Sequence, residues 1–190
     1  YSSSMLIIAH ASFPDHPSFL YFSSVAAGAA CGTKYGVSAG CQLCSIKVVD
    51  KNANLAPVQN WINGVNFIKD YCMASKSLCV VNIDWWPKVN SDALNAAIVA
   101  AIDAGVVMVI YAGVGNVDTC KTDYAQPIKE AITVGITGEN DKLAADSNYG
   151  ACVDVYAPGD KIKGPGLNSA TDSYDKDWGI SCKFIDVADA

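Results

Sequence analysis

The 190-residue chain contains no arginine: all 13 of its basic residues are lysine, set against 19 acidic ones. A nucleic-acid binder needs a cationic face, usually with guanidinium forks for phosphates and base edges. A net charge of −6 offers no such face, and the pI is about 4.7. Nucleic acid is therefore excluded as a partner, and the acidic balance reads as a solvated surface. Histidine is scarce too, with only His10 and His16. Neither completes a four-ligand zinc set with Cys41-Gln42-Leu43-Cys44, and there is no second close cysteine pair, so no metal is expected. No run is apolar for long enough to span a bilayer. Motifs for phosphate, nucleotide, flavin, haem and sugar are missing, so no cofactor is expected. No N-x-Ser/Thr sequon occurs, which argues against N-glycosylation. No signal peptide precedes Tyr1; the expectation is that any leader has been removed.

A hydrophobic fraction of 51% beside a charged fraction of 17% describes a globular chain. Its length suits a single domain over residues 1–190. Eight cysteines, scattered from Cys31 to Cys182, favour disulfides and an oxidising compartment. The expected location is therefore extracellular.

Short apolar runs alternate with helical patterns. Met5 to Ala9, Gln42 to Val49, Leu78 to Ile83, Val106 to Ala112, Ala131 to Val134 and Val153 to Tyr156 read as strands. Val58 to Tyr71 carries Val58, Trp61, Ile62, Val65 and Ile68 at helical spacing. Ser91 to Ala104 carries Leu94, Ala97, Ile98, Ala101 and Ile102 on one stripe, with Asn90 or Ser91 as cap and Gly105 as stop. Val106 to Ala112 lacks polar alternation, as does a strand buried on both faces of a parallel sheet. The pattern predicts a three-layer α/β/α fold with a mostly parallel central sheet. Ala157-Pro158-Gly159-Asp160 and Gly164-Pro165-Gly166 read as turns. In such folds sites lie beyond the carboxyl ends of the strands. That singles out Ala9 to Ser12, Asp84 to Pro87 and Ala112 to Asn116.

Several segments, in order, resemble the subtilisin-like serine proteases, in particular their proteinase K-like and aqualysin-like branch. Tyr35-Gly36-Val37-Ser38-Ala39 with Leu43 and Ile46-Lys47-Val48-Val49-Asp50 is similar to YGVA…L..VKVLD. Gly105-Val106-Val107-Met108-Val109 with Ala112-Gly113 is similar to GVxVVxAAGN. Ile132-Thr133-Val134-Gly135 resembles TVGA. Ser147-Asn148-Tyr149-Gly150, Val153-Asp154-Val155 and Ala157-Pro158-Gly159 resemble SNYGxxVDxxAPG. The resemblance implies a subtilisin-like fold, C-terminally shortened relative to the family.

That family's chemistry needs Asp, His and Ser, with an Asn donating to the oxyanion. His16-Pro17-Ser18-Phe19 resembles HPxF, and counting back places the Asp position on Ala9 and the next on His10. Ala27-Gly28 resembles the AG of HGTxxAG, which places the His position on Phe22. Val114 takes the oxyanion Asn position, with Asn116 two residues beyond. Gly179-Ile180-Ser181 resembles GTS, so Ser181 keeps the nucleophile position, followed by Cys182-Lys183-Phe184-Ile185 where the family has MAxP. Asp84-Trp85-Trp86-Pro87 stands where the family has SLGG, whose backbone pairs with peptide substrate; proline there removes a donor. The aqualysin-like branch implies a Cys120–Cys152 disulfide. Cys72 and Cys79 could close a local loop. Cys31, Cys41, Cys44 and Cys182 permit three pairings, and the sequence does not choose.

Two function classes follow. The first is a catalytically inactive secreted protein acting by binding, as a toxin, effector, decoy or structural component. Its partner would be a protein or cell surface, or a second copy, with Trp85 and Trp86 as candidate anchors. The second is a serine endopeptidase with a rearranged site using Ser181 and His10, with Asp84 at the rim. A third reading makes the chain a processed piece of a longer molecule.

Overall fold

Unbroken β-branched runs and three- and four-spaced apolar stripes sort the chain into strands and helices. The computed structural model describes residues 5–10, 25–34, 36–39, 41–48, 57–83, 91–122, 128–160, 162–165 and 173–175. In chain order these give β1 (Met5–His10), α1 (residues 25–31) and β2 (Gln42–Lys47). Then come α2 (Val58–Ser75), β3 (Cys79–Ile83), α3 (Asp92–Asp103) and β4 (Val107–Tyr111). β5 (Ile132–Thr137), β6 (Val155–Pro158), β7 (Lys163–Pro165) and β8 (Ser173–Asp175) follow. The first six strands form one sheet in the order β2-β1-β3-β4-β5-β6. Every neighbouring pair in it is parallel.

Strand residues alternate faces, and the register shows two separate packing layers. Val81 pairs with Met108 and Ile83 with Ile110. Those four side chains join Trp61, Val65 and Ile68 of α2 and Leu94, Ile98 and Ala101 of α3 in the main core. The alternate residues face the other way. Val80 packs with Ala26 and Ala30 of α1, and it also meets the cluster of Val109, Val134 and Ala157. Helices therefore lie on both faces of a parallel sheet, as the apolar strand runs predict.

Local chemistry sets the helix ends. The Ser91 hydroxyl accepts the Leu94 N–H at 3.3 Å and caps α3. Gly105, at φ 92°, turns the chain into β4. α2 runs four residues beyond the predicted Tyr71 and stops where Lys76 turns left-handed, its N–H bonding the Cys72 carbonyl. The Cys72–Cys79 disulfide then ties this helix end to the start of β3.

One turn assignment is corrected. Gly164 and Pro165 lie in β7, which pairs antiparallel with β8, Pro165 standing opposite Ser173. A two-stranded ribbon leaves an open edge on each strand, and proline is tolerated where no ladder donor is required.

Gly64 marks a close approach of α2 to the end of β2. A Cβ there would sit 2.6 Å from Val48 Cγ1. Gly64→Leu should therefore lower stability by about 1–3 kcal/mol through overpacking. The expected reading is a lower urea midpoint with an unchanged denaturant slope.

Candidate functional site

The last hydrogen bond to β5 runs from the Ala112 N–H to Val134 O at 2.9 Å, and Gly113-Val114-Gly115-Asn116 carries the chain past the sheet's carboxyl edge. Two donors converge on the Ala112 carbonyl: Asn148 Nδ2 at 3.0 Å and Thr119 Oγ1 at 3.3 Å. Asn148 Oδ1 accepts the Val117 N–H at 3.2 Å, and the Asn148 backbone N–H donates to Gly113 O at 3.0 Å. Asn148 is 3% exposed, and Thr119 and Ser147 are fully buried. This one amide therefore bridges both limbs of the turn from beneath. Gly113, at φ 98°, has no room for a side chain, because a Cβ would run into Asn148 Nδ2.

The opposite limb is fixed as tightly. Gly115 and Asn116 both donate backbone N–H groups to Asp146 O, at 2.8 and 3.2 Å. The Ser147 hydroxyl accepts the Ile136 N–H and donates to Asn148 O, both at 2.9 Å. Thr119 N–H reaches Tyr149 O at 2.7 Å, and the Cys120–Cys152 disulfide closes the unit just beyond. On the outer rim Asp118 accepts from Lys121 Nζ at 3.0 Å and from the Cys120 N–H at 3.1 Å. The Lys121 hydrogen bond first, and the backbone bond second, hold its carboxyl below the ordinary range.

On this frame Val114, the residue that the resemblance sets at the oxyanion position, is 43% exposed and bridged through its backbone to Ser147. An isopropyl group donates nothing to a developing negative charge. Asn116 is exposed and left-handed at φ 53°, with its backbone N–H held by Asp146 O. In this arrangement Asn116 stands two residues beyond Val114, and Asp146 O holds the backbone between them. Ala9 sits on β1 in register with Ile46 and Ile83, and His10 follows beside Lys47 at the same carboxyl edge. His16, Phe22, Asp84, Trp85, Trp86, Ser181 and Cys182 lie outside the described residues.

Of the cysteine expectations, both Cys120–Cys152 and Cys72–Cys79 form. The open set resolves in part through a Cys31–Cys41 bridge, with no cysteine partner for Cys44 among the described residues. Cys41 is consequently not a free thiolate for a metal. Nothing in the sequence marks Asn148 or Thr119 for these roles, although Ser147-Asn148-Tyr149-Gly150 carries the family resemblance. Tyr111 is likewise unmarked, and its hydroxyl is buried at the end of β4. Desolvation, and secondarily the charge of Asp146, push that phenol far above its usual range, so it stays neutral.

A parallel six-stranded sheet with helices on both faces, and a β4 exit turn gripped by a buried Asn, defines an α/β scaffold of subtilisin type. Comparison with known proteins agrees. The chain is 35% identical over 150 residues to an extracellular serine proteinase of a Thermus species, spanning 76% of this chain and 34% of that protein. It is 33% identical over 137 residues to subtilisin-like protease 1 of Pseudogymnoascus destructans, spanning 72% and 33%. The solved structure of a cold adapted subtilisin-like serine proteinase superposes with a TM-score of 0.71 at 23% identity, covering 97% of this chain and 71% of that one. No family model matches the chain. The chain belongs to the subtilisin-like serine protease family, and it spans about a third of the length of the curated relatives it matches.

Two substitutions test the frame. Asn148→Leu strands the Val117 N–H and should cost about 1–3 kcal/mol, with faster hydrogen exchange confined to residues 112–119. Replacing Cys120 and Cys152 by serine should lower stability by about 3–4 kcal/mol, read as an earlier unfolding midpoint under non-reducing conditions.

Proposed function

We propose that this chain is a non-catalytic, secreted member of the family that acts by binding a protein or cell-surface partner. The observation that carries the reading is the joint loss of three functional groups. Ala9 stands at the Asp position, Phe22 at the His position and Val114 at the oxyanion Asn position. A serine hydroxyl attacks an amide only if its proton can pass to a base, and the base must be oriented. Loss of one oxyanion donor costs about a hundred- to thousandfold in rate, and loss of the general base costs on the order of a millionfold. Ser181 without them is an ordinary alcohol.

Binding is supported by departures in the sequence and by the exposed side chains of the β4 turn. Trp85 and Trp86 replace a segment whose backbone pairs with substrate in the family, and paired aromatics make strong anchors. Val114, Val117 and Tyr149, each more than 40% exposed, give the β4 turn an apolar fringe. A secreted setting is supported by three disulfides and by the extracellular relative.

The competing reading is a rearranged peptidase that pairs Ser181 with His10, which the β1 register sets at the sheet's carboxyl edge. Incubation with a fluorophosphonate, followed by intact mass, separates the two. No adduct and no peptide turnover above the uncatalysed rate is the expected result. A Ser181 adduct that disappears in His10→Ala would overturn the non-catalytic reading.

A further inference from the structure

Tyr111 is a second departure at the same edge. Set against the family's AAGN string, Tyr111-Ala112-Gly113-Val114 puts a phenol where the pattern has its first alanine. The ring belongs to the sheet face turned away from α2 and α3. In register Tyr111 lies beside Val134, and it packs with the Val109, Val134 and Ala157 cluster. Its hydroxyl is buried. A phenol in place of a methyl fills room at the carboxyl end of β4, directly before the turn that carries Val114. Ligands of open parallel sheets bind beyond these strand ends.

We propose that Tyr111 is a built-in plug, its ring occupying an apolar recess at the end of β4 that would otherwise admit an apolar or aromatic side chain of a ligand. Partners therefore meet this edge on its surface, without inserting a side chain beside β4. The proposal deepens the non-catalytic reading and is tested by binding alone, so either can fail while the other holds.

Tyr111 is half-buried against the Val109, Val134 and Ala157 cluster, so removing its ring opens an apolar notch that takes small aromatic molecules. The experiment titrates indole and N-acetylphenylalanine amide into the full chain, followed by protein NMR shifts. Wild type and Tyr111→Phe should show no saturable shift at millimolar probe. Tyr111→Ala should bind indole at least about tenfold more tightly than wild type, with shifts at Val109, Val134 and Ala157. Tyr111→Leu, which keeps an apolar side chain in the strand, covers the case in which the alanine variant does not fold, and should give weaker but saturable binding. Folded variants that bind no better than wild type, or a wild type that binds as tightly as they do, would overturn the proposal.

Discussion

When β4 leaves the sheet, the Ala112 carbonyl must find a donor or be buried unsatisfied, which is costly. The side chain of Asn148 answers that need from 36 residues further along the chain. Because its oxygen simultaneously accepts from Val117, the amide fixes the spacing between both limbs of the turn. Everything at this edge inherits that spacing. Gly113 must be glycine because the amide lies against it, and Thr119 is buried because it shares the same carbonyl. The disulfide between Cys120 and Cys152 then joins the same two stretches of chain a few residues on. Hydrogen bond and covalent bond oppose the same opening.

The cysteines follow the geometry of extended chain. Cys41 and Cys44 look like a metal-binding pair in sequence, yet residues three apart along a strand point to opposite faces. Cys41 accordingly turns to α1, where it meets Cys31 among Ala26 and Ala30. Cys44 turns toward the main core with Ile46. The spacing that would be productive in a knuckle is unproductive where extended chain enters β2.

Much of the fold was legible because periodicity is a direct consequence of burial. The stripe in α3, its Ser91 cap and the Gly105 stop were readable, and so was the unbroken run that becomes β4. Strand ends were placed less well. β5 continues to Thr137, past the predicted Val134, because its last residues pair with β6, a partner remote in sequence. The antiparallel pairing of β7 with β8 was hidden by Gly164 and Pro165, whose local preference is for turns. At the site, the turn that carries Val114 was visible by alignment with family strings. The roles of Asn148 and Thr119 were not, since a buried amide reveals its partners only when the chain is folded.

Scaffold and chemistry separate cleanly at this turn. Asn148, Gly113 and Thr119 hold the backbone from beneath, whereas the Val114 side chain points outward and takes no part in that network. Changing residue 114 therefore alters what the turn offers to a ligand without loosening the turn. The same independence explains how a family frame persists around an altered edge. Its stability rests on apolar layers, buried amides and disulfides, none of which requires an Asp, a His or an oxyanion donor. On the non-catalytic reading proposed above, an activity assembled from three groups on separate segments goes when those groups go, while the scaffold that carried them keeps its shape.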